Sequence, residues 1–337
     1  MLFTSSYYLL GLCALVLILP VLAYLLWWFL TPIRQSFSNP PAHSYRHSYR
    51  NTTTNNDENF PSVHHDHGDD AVYLSLIVPA YNEEDRMEVM LNETLPYLEG
   101  KQKANKEFTY EIIVVDDGSR DKTTEIAQKY AREHGSDVFR VMTLKKNQGK
   151  GGAVQQGMLH ARGKYLLMVD ADGATEIKDL DRLIEAMRVT EDSKTGYGIV
   201  VGSRAHLQEK AVAKRKWYRS ILMHGFHWLV YTLAVKSIKD TQCGFKLFTR
   251  KSAQILFSNL NLRRWCFDVE LLYMAESLNM PLKEVAVNWQ EIPGSKLRVL
   301  EAALLMGRDL VIIRACHTFG LWRIANPGMG EESKKQR

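Results

Sequence analysis

Through the middle of the chain, short continuous apolar runs alternate with stretches in which apolar residues recur every third or fourth position. The first pattern predicts buried strands and the second predicts helices with one face in a core. Strands are expected at 74–79, 111–115, 138–144, 164–169 and 198–201, and helices at 87–98, 123–134, 152–161 and 177–189, with Asn82 as a candidate cap for the first helix. Strict strand–helix alternation implies an α/β domain with a mostly parallel sheet covered on both faces.

Before this region the pattern changes twice. No charged residue occurs from Tyr7 to Leu30, and roughly 24 helical residues reach about 36 Å, enough for a ~30 Å hydrocarbon core. A transmembrane anchor over 7–30 is expected, with Trp27 and Trp28 at the interface. A cleavable signal peptide would call for a basic start, a shorter apolar core and a small-residue cleavage site, none of which is clear here. Arg34, Arg46 and Arg50 follow the span, so the positive-inside rule directs the rest of the chain to the cytosol. Residues 31–70, rich in Asn, Ser, Thr, Pro and His, read as a flexible linker. His64, His65 and His67 lie in it and make a poor preorganised metal cage. Asn51 and Asn92 begin glycosylation sequons that would be used only on the lumenal side.

The chain has 337 residues, 45% hydrophobic and 24% charged, with a formal net charge of +5. That length supports a full core. The charge is too mild to argue for nucleic acid and is compatible with anionic lipid or nucleotide. Cys13, Cys243, Cys266 and Cys316 are scattered without zinc or disulfide spacing.

Candidate chemistry gathers at the predicted strand ends, where α/β sheets bind ligands. Strand 111–115 runs into Asp116-Asp117-Gly118-Ser119, suited to a ribose or base. Strand 164–169 runs into Asp170-Ala171-Asp172, hard oxygen ligands suited to Mg²⁺ or Mn²⁺ shared with substrate phosphates. Between them, the glycines of Asn147-Gln148-Gly149-Lys150-Gly151-Gly152 allow close backbone approach at a helix start, and Lys150 is placed to meet a base or diphosphate. This run does not fit the Walker pattern, so ATP hydrolysis is not supported. Arg204, after strand 198–201, is a candidate second phosphate cation.

Together these motifs resemble the inverting, A-type nucleotide-sugar glycosyltransferases of family 2, over about residues 72–316. Val78-Pro79-Ala80-Tyr81-Asn82-Glu83-Glu84 looks like that family's first-strand motif, Asp116 to Ser119 its nucleotide-binding turn and Asp170 to Asp172 its metal motif. Ala205 to Leu207, Asp240 to Phe248, Arg264 to Glu270 and Gly294 to Leu297 resemble its polyprenyl-phosphate branch. The resemblance implies an A-type glycosyltransferase fold. It also implies transfer of glucose from UDP-glucose to dolichyl phosphate at the endoplasmic reticulum membrane, with the catalytic domain facing the cytosol. GDP-mannose as donor, or a catalytically silent tethered scaffold, are the alternatives.

On this reading the donor is bound by Pro79, Tyr81, Asn82, Glu83, Asp116, Asp117, Lys150, Gly151, Asp170, Ala171 and Asp172, with Asp268 and Glu270 for sugar hydroxyls. Asp170 and Asp172 hold the metal. Catalysis is assigned to Asp172, Asp240, Gln242, Arg204 and Lys296, with Arg264 as a further phosphate cation. The catalytic domain is expected over 71–320, with amphipathic helices at 217–235 and 297–319 suited to a bilayer interface, and a tail over 321–337.

Overall fold

A computed structural model describes residues 2–38, 46–52, 54–65, 67–68, 71–207, 225, 228–292 and 299–325, with side chains described from 19 in the first helix and from 301 in the last. Lys296 and most of the expected helix 217–235 lie outside these residues. The chain divides into two units, Met1–Pro40 and Pro41–Arg337. In the first, α1 (Leu2–Ser38) is a continuous helix that includes Pro20 and Pro32. It overruns the expected span 7–30 at both ends, and among the described residues no helix is long and apolar enough to cross a membrane.

The second unit departs from expectation at its start. Part of the segment read as a linker is ordered: β1 (Ser48–Arg50) and β2 (Asp57–Asn59) pair as an antiparallel hairpin. The hairpin and its exit are tied to the body. Thr52 N donates to Ser136 Oγ (2.8 Å), Val63 N to the Leu159 carbonyl (2.8 Å) and Gln254 Nε2 to the Val63 carbonyl (2.6 Å). Val63 and Phe60 are buried. Composition hid this docking because two apolar side chains and backbone bonds to distant elements carry it, not a periodic pattern. Tyr49 and Phe60 stack over Arg140 at 5.5 and 5.2 Å. Arg140 itself pairs with the fully buried Glu111, which also accepts from Ser75 Oγ, Arg162 N and Arg162 Nε. Burial, then the nearby Arg162 charge, pushes the Arg140 guanidinium down to about 9.

The body is one seven-stranded sheet of β3 (Val72–Ala80), β4 (Tyr110–Asp116), β5 (Phe139–Thr143), β6 (Gly163–Val169), β7 (Ile199–Ser203), β8 (Phe245–Thr249) and β9 (Leu282–Ala286). Their order across the sheet is β5-β4-β3-β6-β8-β7-β9. Strands β3 to β6 are parallel, and β8 runs antiparallel to both neighbours, β6 and β7. The helices α2 (Met87–Ala104), α3 (Thr123–His134), α4 (Lys150–Leu159), α5 (Leu180–Thr190) and α6 (Arg250–Ser258) supply the crossovers and cover, followed by α7 (Phe267–Ser277) and α8 (Val299–Thr318). Each predicted strand and helix between 74 and 201 is present, shifted by a few residues at its ends.

One face of the sheet, carrying Leu76, Val78, Ile112, Val114 and Leu167, packs against α2, α3 and α5. On the other face, α4 approaches so closely that a Cβ on Gly157 would stand 2.5 Å from Ile77 Cγ2 and 2.9 Å from Val115 Cγ2. Gly157→Ala is therefore expected to destabilise by about 1–3 kcal/mol through overpacking, read as a lower urea midpoint with unchanged slope.

Two topological features position the site. The chain leaves β3 toward β4 on one side and returns to β6 on the other, which opens a crevice at the carboxyl ends of β3 and β6. Because β8 is antiparallel, its amino-terminal end lies at that same edge, with Val169 registered against Phe245. Residues 240–244 thereby arrive beside Asp170.

Candidate active site

The ends of β3 and β4 lock together through the side chains of both motifs. Asn82 adopts a left-handed backbone (φ 54°) and is not the cap of α2, whose N-cap position is Arg86, without a side-chain capping bond. Asn82 Oδ1 instead accepts from Arg120 N (2.8 Å), while Asn82 N donates to Ser119 Oγ (2.9 Å) and Glu83 N to Thr123 Oγ1 (2.7 Å). Tyr81 stays partly exposed at the rim. Glu83 forms a bidentate pair with Arg86, both bonds 2.7 Å.

Asp116 and Asp117 are both buried. Asp116 accepts from Ser119 N (2.9 Å) and from Thr124 Oγ1, which closes the turn on itself. Asp117 accepts from Gln148 N (2.6 Å) and Gly149 N (2.8 Å), so its carboxylate holds the glycine-rich loop. Burial, assisted by Asp116, pushes the Asp117 carboxyl up to about 6 against these two donors. The unfolded value is near 3.9, so between about 4 and 6 the folded state binds more protons and this group's contribution to stability rises as pH falls. Wild type is expected to gain stability on Asp117→Asn between pH 7 and 4.5, measured by paired urea titrations.

The glycine loop is closed by packing. A Cβ on Gly149 would stand 2.6 Å from the Arg263 carbonyl oxygen, and one on Gly151 would stand 2.6 Å from Phe267 Cβ. Gly152 N also donates to the Arg263 carbonyl (2.9 Å). Gly151 thus admits the segment leading into α7 at that point, whereas the expectation there was close approach of a ligand. Lys150, the first residue of α4, extends its Nζ to 2.6 Å from Asp170 Oδ1.

Asp170 and Asp172 reach the crevice with 33% and 28% of their side chains exposed. Asp172 Oδ1 accepts from Ala174 N (3.0 Å), and Arg86 Nη1 stands 3.8 Å from its Oδ2. Asp170 Oδ1 is buried and lacks an aligned hydrogen bond even though Lys150 touches it. Among the described residues there is no group of three or more His, Cys, Asp or Glu side chains able to hold a metal. Two carboxylates, one with an oxygen not saturated by hydrogen bonds, fit a hard divalent ion that takes its remaining ligands from water and substrate phosphate. They do not make a complete protein cage.

The next strand brings two of the expected catalytic residues together. Arg204 is paired within the protein: its backbone N, Nε and Nη2 all donate to Asp240 at 2.8 Å, and its guanidinium lies over Trp289 at 5.4 Å. Although burial favours the neutral acid, the Arg204 bonds and charge hold the Asp240 carboxyl below the usual range. The two predicted catalytic groups neutralise each other and tie the end of β7 to the 240–244 turn. Gln242 points at α8, its Nε2 3.0 Å from Met306 Sδ.

Glu270 is likewise consumed by the protein. Fully buried, it accepts from Leu262 N (2.7 Å), Asn261 N and Asn261 Nδ2, and so shapes the loop before α7. Asp268 pairs with Lys246 Nζ at 2.5 Å, and burial raises its carboxyl despite that lysine and Lys150. Lys246 and Arg86 were missed in the sequence. A lysine between Phe245 and Leu247 reads as an interruption of a strand, and the only local signal was alternation, since Phe245 and Leu247 enter the core of the opposite face. Cys243, Cys266 and Cys316 are buried thiols.

The sheet order with its single reversed strand, carboxylates at the ends of β4 and β6 and a lysine at the start of α4 is the arrangement of an A-type nucleotide-sugar transferase. Residues 75–256 match the family model for glycosyl transferase family 2, and the chain belongs to that family. Its curated relatives include the Dolichyl-phosphate beta-glucosyltransferase of Drosophila melanogaster, 54% identical over 253 residues, which cover 75% of this chain and 78% of the relative. The proteins of the same name from Homo sapiens and Dictyostelium discoideum are 51% and 52% identical, covering 74% and 79% of this chain and 78% and 81% of their own. Among solved structures, mannosyl-3-phosphoglycerate synthase from Rubrobacter xylanophilus aligns with a TM-score of 0.53 at 16% identity, covering 77% of this chain and 79% of that one. That likeness bears on the fold alone.

Proposed function

We propose that this chain transfers glucose from UDP-glucose to dolichyl phosphate with inversion, giving dolichyl β-D-glucosyl phosphate, the lipid-linked glucose donor for N-glycan precursor assembly. The observation that carries this reading is identity of 51–54% to dolichyl-phosphate beta-glucosyltransferases across three quarters of the chain.

The acceptor is already an anion, so a phosphate oxygen attacks glucose C1 from the face opposite UDP without a protein nucleophile. The new C1–O bond forms as the bond from C1 to the UDP oxygen breaks, and UDP departs with that electron pair. The protein's task is positioning and electrostatic stabilisation. Asp170 and Asp172 would hold Mg²⁺ or Mn²⁺, which when bound neutralises charge on the departing diphosphate. Lys150 and Arg86, already against these carboxylates, supply the adjacent positive charge. The locked turn of Asn82, Asp116 and Ser119 forms the wall for the nucleoside. The test is the product's anomeric configuration: β-linked glucose supports the inverting attack, and α-linked glucose overturns it.

Membrane attachment follows from the acceptor. The uncharged run Tyr7–Leu30 lies within α1, and Leu19, Leu22, Leu25, Leu26 and Trp27 of that helix are exposed. Helix α8 turns Leu310, Ile312 and Ile313 inward and leaves Leu304, Val311 and the following Phe319 exposed, a division suited to a bilayer interface. A chain lacking residues 2–38 is expected to leave the membrane pellet at high pH, whereas the full chain stays with it. Residence in the endoplasmic reticulum with the site in the cytosol predicts that Asn51 and Asn92 carry no glycan; a mobility shift removed by endoglycosidase would contradict that orientation.

A further inference from the structure

Lys246 has no exposed surface. Its Nζ donates to two acceptors, Asp268 Oδ1 on the first turn of α7 (2.5 Å) and the Cys243 carbonyl (2.6 Å). In the sheet, Lys246 is registered against Met168 and Phe245 against Val169, so continuing the antiparallel pairing by one residue sets Gly244 beside Asp170. The fit there is tight. A Cβ on Gly244 would collide with the Asp170 carboxylate, 2.6 Å from Oδ1 and closer still to Oδ2.

Lys150 completes the group. It touches Asp170 at 2.6 Å and is attracted by Asp268 as well as by Asp170. Two ion pairs, Lys150–Asp170 and Lys246–Asp268, therefore lie near the end of β6, drawn from the residue after β6, β8, α4 and α7. A buried ion pair is weak evidence for stability, since a well-packed apolar pair often does as well, and such pairs are better understood through the geometry they fix. Here that geometry is the placement of Asp170: Lys246 holds the carbonyl of the residue before Gly244, and Asp268 holds Lys246.

We propose that the buried Lys246–Asp268 pair is a positioning device that fixes the Cys243–Gly244 turn so that Asp170 presents its carboxylate to a metal-bound nucleoside diphosphate. This rests on the reading of Asp170 and Asp172 as the carboxylates of that ligand. Neither Lys246 nor Asp268 touches substrate in this account. Residues behind a metal ligand typically change metal affinity about 10- to 100-fold when lost.

The test uses the full-length chain in detergent and three substitutions. The neutral double variant Lys246→Met/Asp268→Asn leaves no unpaired buried charge, and Asp170→Asn is the control. Binding of Mn²⁺ with UDP is measured by calorimetry, independently of turnover, alongside the melting temperature and the KM for dolichyl phosphate. The double variant is expected to fold, to bind Mn²⁺ with UDP at least about 10-fold more weakly and to keep its KM for dolichyl phosphate. Wild-type affinity in the double variant, with weakened affinity in Asp170→Asn, overturns the positioning role alone. Wild-type affinity in Asp170→Asn overturns the underlying carboxylate assignment. If the double variant fails to fold, Asp268→Asn, which keeps an acceptor for Lys246, is expected to weaken binding by at least about 10-fold, the lower end of the range for such outer contacts, and unchanged affinity there overturns the proposal.

Discussion

Asp172→Ala is expected to lower turnover by at least about 10²–10³-fold, the range for removing one preorganised electrostatic contact to developing charge, with little change in melting temperature. The separation of the two effects follows from the environment of the side chain. Asp172 lies at the crevice surface, with 28% of its side chain exposed and Arg86 3.8 Å away. Its one bond to the backbone, from Ala174 N, closes a local turn. Truncation therefore removes the proposed metal ligand without opening a cavity in the core. Asp172→Asn keeps an oxygen for the Ala174 bond but loses the charge, so it should resemble the alanine variant in turnover. Steady-state rates over a Mn²⁺ titration, paired with thermal melts, check both statements. Turnover near wild type in Asp172→Ala would remove the metal role from this residue.

Gly244→Ala carries the second large effect. The added methyl group would occupy space held by the Asp170 carboxylate, and because Cys243 is held through its carbonyl by Lys246, the clash is relieved by turning that carboxylate away from its position or by shifting the turn. Overpacking of this kind costs about 1–3 kcal/mol, and displacement of a reacting group by about 1 Å can cost about 10²-fold in rate. Both losses are expected together. Gly100→Ala is the matched control. Gly100 is in the interior of α2, where an added Cβ meets nothing within 4 Å, so it should be stabilised by about 0.5–1 kcal/mol with unchanged turnover. Equal behaviour of the two variants would mean that the contact at Asp170 has no consequence.

The alternation of strands and helices from 72 to 203 was legible because each element repeats its own period over enough residues, and the strand ends followed from it. The reversed strand β8 was not legible. Five residues, Phe245 to Thr249, carry no mark of direction, and their partners β6 and β7 are set by tertiary packing. That one missing fact hid how several of the site residues pair with one another. Without it, Asp240 and Arg204 read as independent ligand groups, whereas the topology makes them partners; Lys246 had no evident role, whereas it lies behind Asp170. Glu270 and Asp268 were correctly drawn to the neighbourhood of α7, but a sequence does not reveal whether a carboxylate is satisfied by nearby backbone donors. The hairpin at 48–59 was hidden for a related reason, since its anchors Val63 and Thr52 bond to residues 96 and 84 positions away.

The central claim is transfer of glucose to a lipid phosphate at the β3–β6 crevice. Membranes containing the full chain are incubated with radiolabelled UDP-glucose or GDP-mannose, dolichyl phosphate and Mg²⁺, with and without chelator, and label is counted in the extracted lipid. Glucose-labelled lipid is expected that disappears with chelator and is absent from the Asp172→Ala chain. Label from GDP-mannose alone, or no labelled lipid from either donor, would contradict it.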